Sequence, residues 1–179
     1  MFDYCNEKIH NMIFFEPIKS NYKMLIDGLP QSDNIKTFNL ALGNEVGNRD
    51  MYTETWNKGQ SCSLLKPLTH LKTYPHIRFD GMESVEINKL DNIVFDRSLY
   101  NMINIDVQGF ELEVFKGATE TLNSIDIIYS EVNFEEVYKA CCQVGDLDVF
   151  LANFNFKRVL TEDKYKNYGW GDALYLKCQ

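Results

Sequence analysis

The run Met12-Ile13-Phe14-Phe15, four apolar residues without polar alternation and closed by Glu16-Pro17, does most to limit what this chain can fold into. A strand with one wet face alternates in polarity, whereas an unbroken apolar run suits a strand buried on both faces, as in a parallel sheet. Parallel neighbours need a crossover connection, and the next segment supplies one. Ser20 is placed to cap a helix in which Tyr22, Leu25, Ile26 and Leu29 recur at i, i+3, i+4 and i+7, with Gly28-Leu29-Pro30 as its stop. The alternation then repeats. Ile35 to Leu42 reads as a strand closed by Gly43, and Met102 to Val107 as a strand closed by Gly109. After Glu111, the residues Leu112, Phe115, Ala118 and Leu122 share one helical face. Ile125 to Glu131 is strand-like again, Asp146 is placed to cap a helix with Leu147, Phe150, Leu151 and Phe154 inward, and Phe156 to Leu160 and Ala173 to Lys177 read as two closing strands. Strands separated by single amphipathic helices give an α/β class, a doubly wound and mostly parallel sheet with helices on both faces.

One stretch breaks this rhythm. Residues 44 to 80 are polar, carry Trp56, Gly59, Ser61, Ser63, His70 and His76, and show only short strand-like pieces such as Met51 to Thr55. They are expected to form a hairpin insertion or lid within an otherwise single domain spanning residues 1–179.

Composition excludes several function classes. The net charge is −8, and no run of lysines and arginines interleaves with aromatics, which argues against a nucleic-acid partner. The start Met1-Phe2-Asp3-Tyr4-Cys5-Asn6-Glu7 is neither basic nor apolar, and no window approaches the roughly 20 apolar residues of a membrane span. The expectation is a cytoplasmic protein with no membrane partner. Five scattered cysteines without a Cys-x-x-Cys spacing read as small apolar residues of a reducing compartment, not as disulfides or a structural metal centre.

In open α/β sheets ligands bind outside the carboxyl ends of the strands, so the strand-end residues carry the chemistry. Here the ends are Glu16, Ala41-Leu42-Gly43, Asp106 and Glu131, which places three carboxylates along one edge. Glu16 suits a ribose diol, whose two hydroxyls a carboxylate can accept at once, and equally suits a cap for the following helix. Asp106 is harder to explain structurally, because an ionised group ending an apolar strand is costly unless a cation, a hydroxyl donor or water meets it. Glu111 is accounted for by the dipole at the start of its helix.

The motifs Phe15-Glu16-Pro17, Ala41-Leu42-Gly43, Lys89-Leu90-Asp91, the long stretch from Ile105-Asp106-Val107-Gln108-Gly109-Phe110-Glu111 to Lys116-Gly117-Ala118, Glu131, and Trp170-Gly171-Asp172-Ala173-Leu174-Tyr175 occur in that order. Together they resemble the FkbM-type S-adenosylmethionine-dependent methyltransferases. The resemblance implies a Rossmann-like class I methyltransferase fold and O-methylation of a hydroxyl on a sugar or other small molecule, with S-adenosylmethionine as cofactor. It implies that Glu16 binds the cofactor ribose, that Ala41 and Leu42 lie near the adenine, and that Asp106 faces the methionine part or the acceptor, with Glu131 beside it on the neighbouring strand. The family's first strand, glycine-rich loop and first helix are expected to precede Phe14. Only thirteen residues do, and Asp3 to Asn11 hold no glycine, so the fold is expected to be N-terminally truncated, lacking that strand and helix. The loss would leave two central strand edges unpaired, which a homodimer would cover.

Methyl transfer needs the acceptor oxygen aligned with the carbon–sulfur bond and its proton removed or shared. Asp106 and Glu131 are the general-base candidates. They could instead hold a divalent cation that lowers the hydroxyl pKa, although two carboxylates without a third clear ligand make a weak metal signature, and no metal is the expectation. His70 and His76 are alternative bases on lid closure, Trp56, Trp170 and Tyr175 are candidate walls of an acceptor pocket, and Ser61 and Ser63 are candidate substrate contacts. The same residues leave open a non-catalytic, methyltransferase-like remnant serving as an interaction module, and a different nucleotide-binding α/β protein that uses Glu16 for a ribose.

Overall fold

A computed structural model of the chain describes residues 11–178. The expectations about the segment before Phe14 fall almost wholly outside the described residues. In chain order the elements are β1 (Met12–Phe15), α1 (Lys19–Gly28), β2 (Ile35–Phe38), β3 (Ala41–Leu42), β4 (Gly47–Glu54), α2 (His70–Thr73), β5 (Phe79–Asn88), β6 (Met102–Ile105), α3 (Glu111–Lys116), β7 (Ile127–Asn133), α4 (Val144–Ala152), β8 (Phe156–Glu162) and β9 (Trp170–Lys177), with short 3₁₀ turns between some of them.

The strands form three sheets, β1-β2, β3-β5-β4 and β6-β7-β9-β8. The pairs β1–β2, β3–β5 and β6–β7 are parallel, while β4–β5, β7–β9 and β8–β9 are antiparallel. The fold is therefore α/β with mixed sheets and few helices, where the alternation of elements predicted a mostly parallel sheet. The cause is local. Residues 44 to 80 include most of the β4–β5 hairpin, and the last two strands return on each other without a crossover helix.

Among the described residues β1 pairs with β2, and β6 with β7. Strand β1 is half-buried throughout, not enclosed on both faces as its composition predicted. Helix α1 is similarly shallow: Tyr22, Leu25 and Leu29 are half-buried, Ile26 is exposed, and no residue of the helix is fully buried. Its start is set not by Ser20 but by Glu16, whose Oε1 accepts from the Ile18 N–H at 2.8 Å. Nor does the predicted strand Ile35 to Leu42 run unbroken. Asn39 interrupts it, because its side-chain amide donates to the carbonyls of Glu16 and Pro17 and ties the ends of β1 and β2 together.

The core lies against the four-stranded sheet. Phe115, Ala118 and Leu122, on the face predicted for α3 and its extension, are wholly buried with Ile128, Val132, Leu147, Leu151 and Tyr175. Helix α4 begins two residues before the predicted cap. Gln143 is its N-cap and Asp146 closes a reciprocal capping box, its carboxylate accepting from the Gln143 N–H at 2.8 Å. Two sequence motifs have structural explanations. The Asp91 carboxylate accepts from the backbone N–H groups of Glu120 and Thr121 and from the Thr121 hydroxyl, pinning the segment after α3. Gly117 packs backbone to backbone on Gly43, leaving no room for a side chain. Among the described residues no helix is long and apolar enough to cross a membrane.

Candidate active site

The β6–β7 pairing ends at Ile105 and Ser130, so Asp106, just past the end of β6, stands beside Glu131. Glu131 is not the end of its strand, as the sequence suggested: β7 continues to Asn133, and Glu131 lies opposite Asp172 of β9. Three carboxylates thus stand in one row at the level where β6 stops. Within the row, the amide of Gln108 bridges the first two: Nε2 donates to Asp106 at 2.6 Å and to the two oxygens of Glu131 at 3.2 and 3.1 Å.

The loop from Asp106 to Glu111 is shaped for this contact. Gln108 has φ +55° and Gly109 φ +95°, two successive residues in the left-handed region. At Gly109 a side chain would also strike Cys141, so both backbone and space demand glycine there. A side chain as large as Gln108 in that conformation is strained, and the strain is held from two directions. The Ser63 hydroxyl donates to the Gln108 carbonyl at 2.8 Å, and the Tyr138 hydroxyl lies 2.7 Å from Gln108 Oε1 and 3.0 Å from the Ser61 carbonyl, its single proton serving one acceptor at a time.

Glu111, read from sequence as a helix-start residue, is wholly buried, and its carboxylate turns back to accept from the N–H groups of Val107 and Gly109, both at 3.1 Å. One acidic oxygen from each of Asp106, Glu111 and Glu131 lies within 4.8 Å of the others. Burial pushes the Glu111 carboxyl up to about 7 against the pull of those backbone hydrogen bonds. Glu131 is raised further above the carboxylate range by burial and then by the charges of Asp106 and Glu111. Asp106 keeps solvent access over much of its surface, yet protein crowding its carboxylate raises it too. No lysine or arginine figures among the charged neighbours of these three.

Glu16 is half-buried at the end of β1, and burial raises its carboxyl pKa despite the Ile18 hydrogen bond. The capping role and a ligand role are compatible, since the Ile18 bond uses one lone pair of four. Ala41 is buried and Leu42 half-buried in β3, which runs parallel to the end of β5. The other sequence candidates separate. His70 is buried among Tyr74, Phe79 and Tyr138 and has its pKa lowered by that burial, whereas His76 is exposed. Trp56 is exposed beneath Arg78, and Trp170 stacks on Tyr165 with its N–H on the Tyr74 hydroxyl. Tyr175 points into the core, donating to Asp148. Ser61 and Ser63 brace the 106–111 loop and its partner Tyr138. Sequence reasoning missed the bridging role of Gln108, although it sits between the strand-end acid and the glycine, and it missed Tyr138, thirty residues away, altogether.

The family model for the methyltransferase FkbM domain matches residues 1–158, a span that holds Glu16, Ala41, Leu42 and the whole Asp106–Glu111–Glu131 cluster. The chain belongs to the FkbM methyltransferase family. The 2-O-methyltransferase NoeI of Sinorhizobium fredii (strain NBRC 101917 / NGR234) is 31% identical over 134 residues, which cover 70% of this chain and 54% of that protein. The chain thus spans about half the length of this curated FkbM-family relative. No solved structure matches the chain.

Proposed function

We propose that the chain forms the strand-end half of an S-adenosylmethionine-dependent O-methyltransferase site on a Rossmann-like sheet, acting on a hydroxyl of a sugar or other small molecule. The observation that carries this reading is the pair Asp106 and Glu131, side by side on two parallel neighbours at the level where β6 ends, and bridged by Gln108. The name of the related 2-O-methyltransferase favours a hydroxyl oxygen as the acceptor.

The residues present fit the cofactor's polar half. Glu16 is a partly desolvated carboxylate at the end of β1, suited to a ribose diol, and Ala41-Leu42 offers an apolar surface ending at Gly43. When bound, S-adenosylmethionine supplies an electrophilic sulfonium methyl. The chain's own part is to hold the acceptor hydroxyl and manage its proton. Carboxyls whose pKa values are raised toward neutrality are better proton acceptors than exposed carboxylates, and Asp106 reaches solvent, where an acceptor can enter. Gln108 fixes the orientation of both acids, so that the accepting oxygen is set before substrate arrives.

Calorimetric titration of the folded chain with S-adenosylmethionine and S-adenosylhomocysteine tests the reading. Binding weakened by Glu16→Ala is expected and would justify a screen of hydroxyl acceptors with Asp106→Asn as the inactive control. A folded sample that binds neither compound refutes it and favours the interaction-module reading of the same fold.

A further inference from the structure

We propose that Asp106, Glu111 and Glu131, together with the side-chain oxygen of Asn133, form a site for one hard divalent cation of the magnesium or manganese class. The expectation from sequence was no metal, because only two carboxylates were in view. Folding brings in Glu111 as a third, its side chain turning back from α3 to the strand ends.

The spacing suits a single ion. Oxygen ligands sit about 2.1 Å from magnesium and up to about 2.6 Å from calcium, so two ligands of one ion can be no more than roughly 4 to 5 Å apart. The three acidic oxygens, all within 4.8 Å of one another, meet that limit. Gln108 bridges two of the acids but brings no charge, and no lysine or arginine does so either. Asp106 is open to solvent and gives an ion its way in.

A separate observation points to a ligand. Asn133 is 1% exposed, and among the described residues neither its side-chain oxygen nor its nitrogen has a hydrogen-bond partner. Leaving buried amide groups unmet is costly, so such groups in a folded protein normally have a partner. The β7–β9 register runs without a shift from Ile127 to Asn133, so Glu131 and Asn133, two residues apart, project from the same face of the strand. Ile128 and Val132, on the opposite face, fill the core instead. The unmet amide is therefore aimed to the side on which Glu131 meets Asp106 and Glu111. An all-oxygen set of carboxylates and an amide carbonyl suits magnesium, manganese or calcium and does not suit softer metals.

The consequence for chemistry rests on the methyl-transfer reading above: an acceptor hydroxyl on such an ion gives up its proton more readily. Binding of the ion does not rest on that reading and is tested without cofactor. The chelator-treated full chain is titrated with Mn²⁺, free ion being followed by its paramagnetic resonance signal, and Mg²⁺ is then added as competitor. Saturation at one Mn²⁺ per chain, displaced by Mg²⁺, is expected. Asp106→Asn, Glu131→Gln and Asn133→Leu should each weaken binding at least about tenfold, while Glu86→Gln, at an exposed site on β5, should not change it. Thermal stability gives a second readout of opposite signs. In chelator Glu131→Gln should melt above the parent, because a buried, crowded acid is replaced by a neutral amide of the same shape; with Mn²⁺ only the parent should gain. Should one variant fail to fold, the remaining two and the parent titration still decide. A folded parent that takes up no Mn²⁺ at millimolar concentration, or Mn²⁺ binding that Asp106→Asn and Glu131→Gln leave intact, overturns the site. Either result leaves the S-adenosylmethionine titration to be judged separately.

Discussion

Replacing Gly117 with alanine should destabilise the protein sharply, although alanine is the better helix former and the site ends a helix. A methyl carbon there would stand 2.9 Å from the carbonyl carbon of Gly43 and closer still to its oxygen. Carbon–carbon contacts relax at roughly 3.5–4.0 Å and the oxygen contact is tighter still, so the backbones must part by about an ångström or more. Neither side can yield cheaply. Gly43 is held by the hydrogen bond from its N–H to Asn88, and Gly117 by the bond from Asp91 to its carbonyl. Overpacking against fixed backbone costs about 1–3 kcal/mol, and the upper end applies because no flexible side chain can move aside. For a chain of this size that corresponds to a fall of roughly 6–12 °C in melting temperature. Gly145, inside α4, is the control: a methyl carbon there meets nothing within 4 Å, and alanine should raise stability by about 0.5–1 kcal/mol. Thermal melts followed by circular dichroism measure both. A Gly117→Ala protein melting within about 2 °C of the parent would refute the close-packing argument.

Three further outcomes are expected. The Glu111 carboxyl is raised from 4.5 to about 7, so the folded state holds a proton that the unfolded chain has lost. Its contribution is fully present below pH 4.5 and disappears as pH rises through 7, a loss of about 3 kcal/mol that Glu111→Gln should flatten in chelator-containing melts across that range. Asp91→Ala removes the acceptor of two backbone N–H groups and should cost roughly 2 kcal/mol in denaturant unfolding; a change below about 0.5 kcal/mol would show that water replaces it. Tyr138→Phe frees Gln108 on one side and should lower stability by about 1 kcal/mol, and on the methyl-transfer reading it should reduce turnover more than acceptor KM.

The parts of the fold visible in the sequence are those set by burial periodicity. The apolar run at Met12–Phe15, the face carrying Phe115, Ala118 and Leu122, and the strand around Ile128 all fall where alternation and spacing place them. Elements governed by single side-chain contacts do not. The break between β2 and β3 follows from where the Asn39 amide donates, and the start of α1 from a Glu16 oxygen; neither leaves a periodic trace. The β4–β5 hairpin was only partly visible, because of its side chains only Met51, Glu54, Val85 and Ile87 are buried, too few to mark its two strands along their length. The end of β6 located Asp106, and Glu131 was found although its strand runs two residues further than the sequence suggested. Strand ends could not locate Glu111, whose part depends on a side chain reaching back four residues, nor Tyr138, which meets Gln108 only through tertiary packing.

A helix start like that of α3 can be satisfied by a neutral acceptor, because the two N–H groups of Val107 and Gly109 need an oxygen and not a charge. A glutamine at 111 would provide that oxygen and would spare Glu131 one of its repelling neighbours. A wholly buried carboxylate in that place, beside two more and against a strained Gln108, is therefore an arrangement that capping alone does not explain. Its electrostatic cost falls on the same three acids that the methyl-transfer and cation readings use. The cost and the proposed chemistry have a common origin: acids crowded together bind protons and hard cations more readily than acids apart, the property on which the proposed proton transfer from an acceptor hydroxyl would draw.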